Sequence, residues 1–246
     1  MGLALVDANI GYGDRSVAFH IGLAVPAGTC VGLVGPNGAG KTSIGRALAG
    51  LIPLRAGQIL LDGSDISKRG VAQRTRLGIV LVPEGRQTFL RLTVEEQLEL
   101  AARAILSGRR QHELPTVVDG VYALLPELRE LHGREGAMLS GGEQQSLAVG
   151  RALAMQARWL IVDEPTLGLA PGRKVAVYNT IANLRLSGIG ILLIEEAAMM
   201  AAKVADYLYV MRDGTIIEHG PTSELASAER MGSAYFGLEI HRDHQD

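Results

Sequence analysis

The sequence predicts an α/β fold built on a parallel sheet, joined to an antiparallel β region and a helical sub-lobe. Three observations predict it. Residues 31–34, 159–162 and 190–194 are short, continuously apolar runs, the pattern of strands buried on both faces. A helical stretch over 173–187 separates the last two, which makes a βαβ unit and therefore a parallel pair. The N-terminal runs 3–6, 17–25 and 29–34, with alternation and Gly-rich breaks between them, predict antiparallel pairing, although 31–34 reads as a parallel strand.

The remaining elements follow in order. A helix is expected from Thr42 to Leu51, then a strand over 59–61 turning at Asp62-Gly63. Residues 78–82 read as another buried strand. From 93 to about 135 the chain reads as helical, with Thr93 as N-cap and Glu96 completing a capping box. That stretch carries Arg103, Arg109, Arg110, Glu127, Arg129 and Glu130, more charge than the strands. A further helix is expected from Glu143 to Met155, and residues 207–218 read as a closing hairpin turning at Asp213-Gly214. The expected organisation is one domain over 1–246: N-terminal core and β region 1–85, helical sub-lobe 86–138, and C-terminal core 139–246.

At 246 residues the chain can bury a substantial core, and with 47% apolar but only 4% aromatic residues that core is built from Leu, Ile, Val and Ala. A net charge of -2 argues against a strongly basic nucleic-acid binder. The single cysteine, Cys30, excludes an internal disulfide and sits in an apolar run, as a core residue does. The N-terminus lacks the basic flank and apolar run of a signal peptide. No stretch of about 18 uncharged apolar residues occurs, so any membrane role needs a partner that supplies the spans. The six histidines show no metal-ligand spacing.

The chemistry is concentrated in three motifs. Gly35-Pro36-Asn37-Gly38-Ala39-Gly40-Lys41-Thr42, followed by Ser43, matches the full phosphate-loop pattern between a buried strand and a helix. Its glycines let backbone N–H groups face phosphate oxygens, and the helix start aims its positive end at the same anion. Lys41 is expected on the β- and γ-phosphates and Thr42 on Mg²⁺. Residues 160–162 run into Asp163 and Glu164, whose side chains, by strand alternation, point to opposite faces. Asp163 is the expected Mg²⁺ holder and Glu164 the general base. Third, Leu139-Ser140-Gly141-Gly142-Glu143-Gln144 opens a helix with a capping box whose two internal glycines the box itself does not need. They leave bare N–H groups for a second phosphate contact.

That last motif, ahead of Asp163-Glu164-Pro165-Thr166, resembles the signature of ATP-binding cassette (ABC) ATPases, and the resemblance covers nearly the whole chain. It implies a P-loop NTPase fold with a RecA-like core, ATP and Mg²⁺ as cofactors, and a second cassette, identical or different, whose signature helix completes each ATP site. Transmembrane permease subunits, indirectly a substrate-binding protein, and a peripheral place on the cytoplasmic face of the cell membrane follow from the same resemblance. Tyr12 resembles the aromatic that stacks on adenine, and Leu167-Gly168-Leu169-Ala170 the loop that touches the opposite subunit. Glu84, in Val82-Pro83-Glu84-Gly85-Arg86, stands where most cassettes have a glutamine linking Mg²⁺ to the helical lobe.

Those residues, with Leu92-Thr93-Val94-Glu95-Glu96, Gly142-Glu143-Gln144-Gln145 and Leu167-Gly168-Leu169-Ala170-Pro171, resemble the LivF-like branch, the ATPases of branched-chain amino acid importers. Glu196 departs from the family, which mostly has a histidine on the γ-phosphate there, and from this branch, which often has glutamine. A carboxylate at that place is repelled by phosphate unless protonated, turned away or bridged by a cation. Two other readings stand beside the importer: a cassette that binds ATP and dimerises but hydrolyses weakly, as the regulatory half of a heterodimer, and a nucleic-acid or ribosome-associated cassette. The single cassette, the absence of sustained heptads and the lack of a basic stripe disfavour the last.

Overall fold

The computed structural model describes residues 1–85, 87–106 and 108–225; Arg86, Ser107, the Arg109 side chain and residues 226–246 lie outside the described residues. The chain opens with β1 (Gly2–Tyr12), β2 (Arg15–Pro26) and β3 (Cys30–Val34), then α1 (Lys41–Ala49), β4 (Leu54–Leu61) and β5 (Ser64–Asp65). Next come α2 (Val71–Arg76), β6 (Ile79–Val82), α3 (Val94–Arg103), a 3-10 turn (Gly108–Glu113), α4 (Leu114–Leu124), α5 (Pro126–Glu130) and α6 (Gly141–Ala154). The last part holds β7 (Trp159–Asp163), α7 (Pro171–Leu186), β8 (Gly190–Glu195), α8 (Ala198–Ala201), β9 (Tyr207–Arg212), β10 (Thr215–Pro221) and α9 (Thr222–Leu225).

Two sheets result, one four-stranded in the order β2-β1-β4-β5 and one six-stranded in the order β10-β9-β3-β8-β7-β6. The first is antiparallel, and its second strand outruns the expected 3–6 because a bulge at Val6-Asp7, with Asp7 at φ 46°, carries pairing on to Tyr12. The second is parallel from β9 to β6, with β10 added antiparallel through the Asp213-Gly214 turn. The third N-terminal strand therefore does not pair with the first two. All five residues of β3 are buried, and a strand covered on both faces belongs to the parallel sheet.

One apolar cluster, including Ile10, Leu33, Ile44, Ile59 and Ile161, fills the space between the antiparallel layer and the parallel sheet around α1. The other, including Leu98, Val121, Leu147, Leu160 and Ile181, packs α3, α4, α6 and α7 on the sheet's opposite face. The capping box at Thr93 forms as expected: Thr93 N–H donates to Glu96 Oε2 at 2.8 Å and Glu96 N–H to Thr93 Oγ1 at 3.2 Å.

What matters for function is register. Val34 pairs with Glu195, Asp163 with Ile194, and Val82 with Val162, so four strands end side by side. The loops after β3, β6, β7 and β8 therefore converge at the carboxyl edge of the sheet, where ligands of open α/β sheets bind.

Candidate functional site: a nucleotide-binding cleft at the strand ends

The loop after β3 is shaped by contacts that admit no side chain. A Cβ on Gly35 would lie 2.1 Å from the Met211 carbonyl oxygen. Gly40, at φ 103°, would place one 2.8 Å from the Val17 carbonyl oxygen. Only glycine fits such positions. Gly40 caps α1 without a side-chain hydrogen bond, and no acidic residue lies in the first turn, so the positive helix end is left for an anion.

Lys41 is 5% exposed and folds back over the loop, its Nζ donating to the carbonyls of Gly35 at 2.6 Å and Pro36 at 3.1 Å. Burial holds its pKa below the ordinary lysine value, against the pull of Glu164, Glu196, Asp163 and Glu195. Thr42 Oγ1 donates to Asp163 Oδ1 at 3.2 Å. Asp163 is 3% exposed, and burial raises its pKa despite the Thr42 hydrogen bond.

Glu164 does not sit in the strand as alternation requires. The strand ends at Asp163, and Glu164 takes a left-handed conformation, φ 45°, with its N–H on the Ile194 carbonyl at 3.0 Å. The direction of its side chain is set by this turn and not by the period of two. Its Oε1 lies 3.9 Å from Lys41 Nζ. Burial, then the neighbouring Glu195, push the Glu164 carboxyl up to about 7, with Lys41 opposing.

These groups meet. A cavity of about 180 Å³ is lined by Asn37, Gly38, Ala39, Gly40, Lys41, Thr42, Glu84 and Glu164. Among the described residues Lys41 is the only cation in that lining, and it faces two carboxylates, so a cation carried in with a polyphosphate eases its entry. Among the described residues no cluster of His, Cys, Asp and Glu could hold a metal unaided. A Thr42 hydroxyl touching Asp163, with Glu84 nearby, suits an ion that keeps phosphate and water ligands, as Mg²⁺ does. Beside the cleft, Ser43 Oγ and Arg46 Nη1 donate to Tyr12 Oη at 3.3 and 3.4 Å, which fixes the half-exposed Tyr12 over the start of α1. Asn37 Nδ2 donates to Glu196 Oε2 at 2.9 Å, so Glu196 is engaged by the phosphate loop itself.

The signature residues do not join this cavity. Ser140 caps α6, with its N–H on Glu143 Oε2 at 2.6 Å and Glu143 N–H on Ser140 Oγ at 3.5 Å. That backbone bond holds the Glu143 carboxyl below its usual value. None of Ser140, Gly141, Gly142 and Glu143 lines the cavity. Sequence reasoning missed the buried set Glu195, Thr166 and Tyr178, joined by hydrogen bonds on Glu195 Oε1; the available signal was a second acid, Glu195, at the end of an apolar run.

Comparison with known proteins agrees with this geometry. The family model described as ABC transporter matches residues 19–167. The high-affinity branched-chain amino acid transport ATP-binding protein BraG of Pseudomonas aeruginosa is 35% identical over 226 residues, 92% of this chain and 95% of that protein. The lipopolysaccharide export system ATP-binding protein LptB of Escherichia coli K12 is 33% identical over 231 residues, 93% and 94% of the two chains. The crystal structure of an ATP-binding cassette of an ABC transporter in its ADP conformation matches with a TM-score of 0.82 at 25% identity, covering 97% of this chain and 100% of that one. A phosphate loop, a paired Asp163-Glu164 and a glycine-bearing signature helix on this fold place the chain in the ABC transporter family, as an ATP-binding and ATP-hydrolysing subunit.

Proposed function

We propose that this subunit powers an importer of branched-chain or related amino acids from the cytoplasmic face of the cell membrane. The observation that carries the cargo reading is the likeness to BraG over nearly the whole chain. The likeness to LptB makes an exporter the competing outcome. In this reading Lys41 holds the β- and γ-phosphates within the cradle of Gly35, Asn37, Gly38, Gly40 and Ser43, while Tyr12 stacks on adenine. Thr42, Asp163 and Glu84 hold Mg²⁺, which neutralises phosphate charge when bound. Glu164 takes the proton of the attacking water. Ser140, Gly141, Gly142 and Glu143 lie outside the cavity, which supports their use on the ATP of a second cassette.

Among the described residues no helix is long and apolar enough to cross a membrane, so permease subunits provide the spans. A second cleft, about 600 Å³, lies between β6, α3 and α6, and its lining includes the exposed Leu51, Val71, Phe89 and Leu100. An apolar cleft of this kind suits a permease segment. Reconstituted with co-purified permeases and a binding protein, the complex is expected to take up leucine only with ATP; ATP turnover stimulated by another cargo, without leucine uptake, overturns the cargo reading.

Glu196 favours a second reading, in which this subunit is the slower half of an asymmetric pair. An ionised carboxylate offers no donor to the γ-phosphate, and here it accepts from Asn37. Glu196→His restores a donor and is expected to raise turnover roughly threefold or more, since one well-oriented donor to a developing oxyanion is worth up to about 4 kcal/mol. Steady-state hydrolysis checks this. Unchanged or lost turnover with intact ATP binding means that Glu196 is not a poor substitute for the histidine.

A further inference from the structure

We propose that Glu195 is a positioning residue for Glu164, held in place by Tyr178 and Thr166. The proposal rests on the reading of Glu164 as general base. Glu195 ends β8 after the apolar run 190–194 and is only 2% exposed. Packing alone does not account for it, because a buried acid costs several kcal/mol unless its oxygens are satisfied. Tyr178 Oη, from α7, donates to Glu195 Oε1 at 2.7 Å, and Thr166 Oγ1 donates to the same oxygen at 3.2 Å. Both donors are buried, and Thr166 lies in the turn that follows Glu164. Two hydrogen bonds from two elements therefore fix one Glu195 oxygen.

Through Thr166, and through the Ile194 carbonyl that accepts the Glu164 N–H at 3.0 Å, the turn that carries Glu164 is tied to the end of β8. Glu164 needs that support. Its backbone is in the left-handed region, which a non-glycine residue rarely adopts and keeps only where surroundings enforce it. Its N–H and carbonyl are held, by Ile194 at 3.0 Å and by the Leu167 N–H at 3.2 Å. Its side chain is not: among the described residues Oε1 is buried with no hydrogen-bond partner, and Lys41 Nζ stands 3.9 Å away. A glutamine at 195 keeps a carbonyl oxygen that still accepts from Tyr178 and Thr166.

The test uses the full-length chain assembled with its permease partners. Glu195→Leu is expected to lower kcat about 20-fold or more while KM for ATP stays within about twofold, because a misaimed base costs rate and not nucleotide affinity. Glu195→Gln is expected to recover kcat to within about threefold of the parent. Tyr178→Phe removes one hydroxyl and should lower kcat by roughly threefold to tenfold at unchanged KM. Parental kcat in Glu195→Leu, a Glu195→Gln as slow as Glu195→Leu, or kcat and KM worsening together in Tyr178→Phe overturns the proposal. If Glu195→Leu does not fold, Tyr178→Phe decides, and parental kcat there overturns it. Glu164→Gln measured alongside separates two failures: if it hydrolyses like the parent, the general-base reading falls. If it is inactive while the Glu195 and Tyr178 variants are unaffected, only the positioning role falls.

Discussion

Replacing Lys41 with alanine is expected to cut ATP hydrolysis by roughly a hundredfold or more, since it removes a preorganised charge aimed at the transferring phosphate. In the described structure the ammonium group already sits inside the loop, tethered to the Gly35 and Pro36 carbonyls at 2.6 and 3.1 Å. A phosphate arriving on the loop takes over those donors. Among the described residues no other cation lines the cavity, where Glu84 and Glu164 repel an anion. Affinity for an unhydrolysable ATP analogue should therefore fall about tenfold or more in isothermal titration. The fold should survive, because two loop carbonyls losing one donor amounts to about 1–3 kcal/mol. Parental affinity together with parental turnover would remove Lys41 from the site.

Glu164→Gln should act on a different step. The amide keeps size and polarity but cannot take a proton, so kcat is expected to fall roughly a hundredfold or more while nucleotide affinity is nearly preserved. Glutamine also stands where Glu164 adds negative charge to a cavity with a single lysine, so ATP repulsion is eased. An ATP-bound dimer that no longer turns over should accumulate, visible as an earlier peak in size-exclusion chromatography with ATP. If Glu164→Gln hydrolyses ATP like the parent, the base is elsewhere, and Glu84 is the nearest remaining carboxylate in the cavity.

The difference between what was legible and what was not follows the length scale of each feature. The phosphate loop was readable because strand, glycines, lysine and helix are contiguous, and each glycine answers a local demand: at Gly40, a φ of 103° that other residues avoid. The capping boxes at Thr93 and Ser140 span four residues each and form as read. Short helices were harder. α2, α8 and α9 have 6, 4 and 4 residues, below the length at which helical propensity declares itself, and are kept by packing. Tyr12 was read as a stacking aromatic, but that it reaches α1 depends on the bulge at Asp7, which the sequence shows only as a polar break.

By itself, the sequence determined the parallel α/β core, the phosphate loop, the Asp163-Glu164 pair, the signature motif and the family that these share, because each is written in neighbouring residues with a fixed period or spacing. Only the tertiary structure decided that β3 leaves the antiparallel layer for the parallel sheet, that Glu164 points by a left-handed turn, and that Glu196 meets Asn37. It alone joined Glu195, Thr166 and Tyr178, from a strand, a turn and a helix. The physical reason is register: the pairing of Asp163 with Ile194 and of Val34 with Glu195 sets which loop residues touch, and periodicity along one strand carries no record of its alignment with the next.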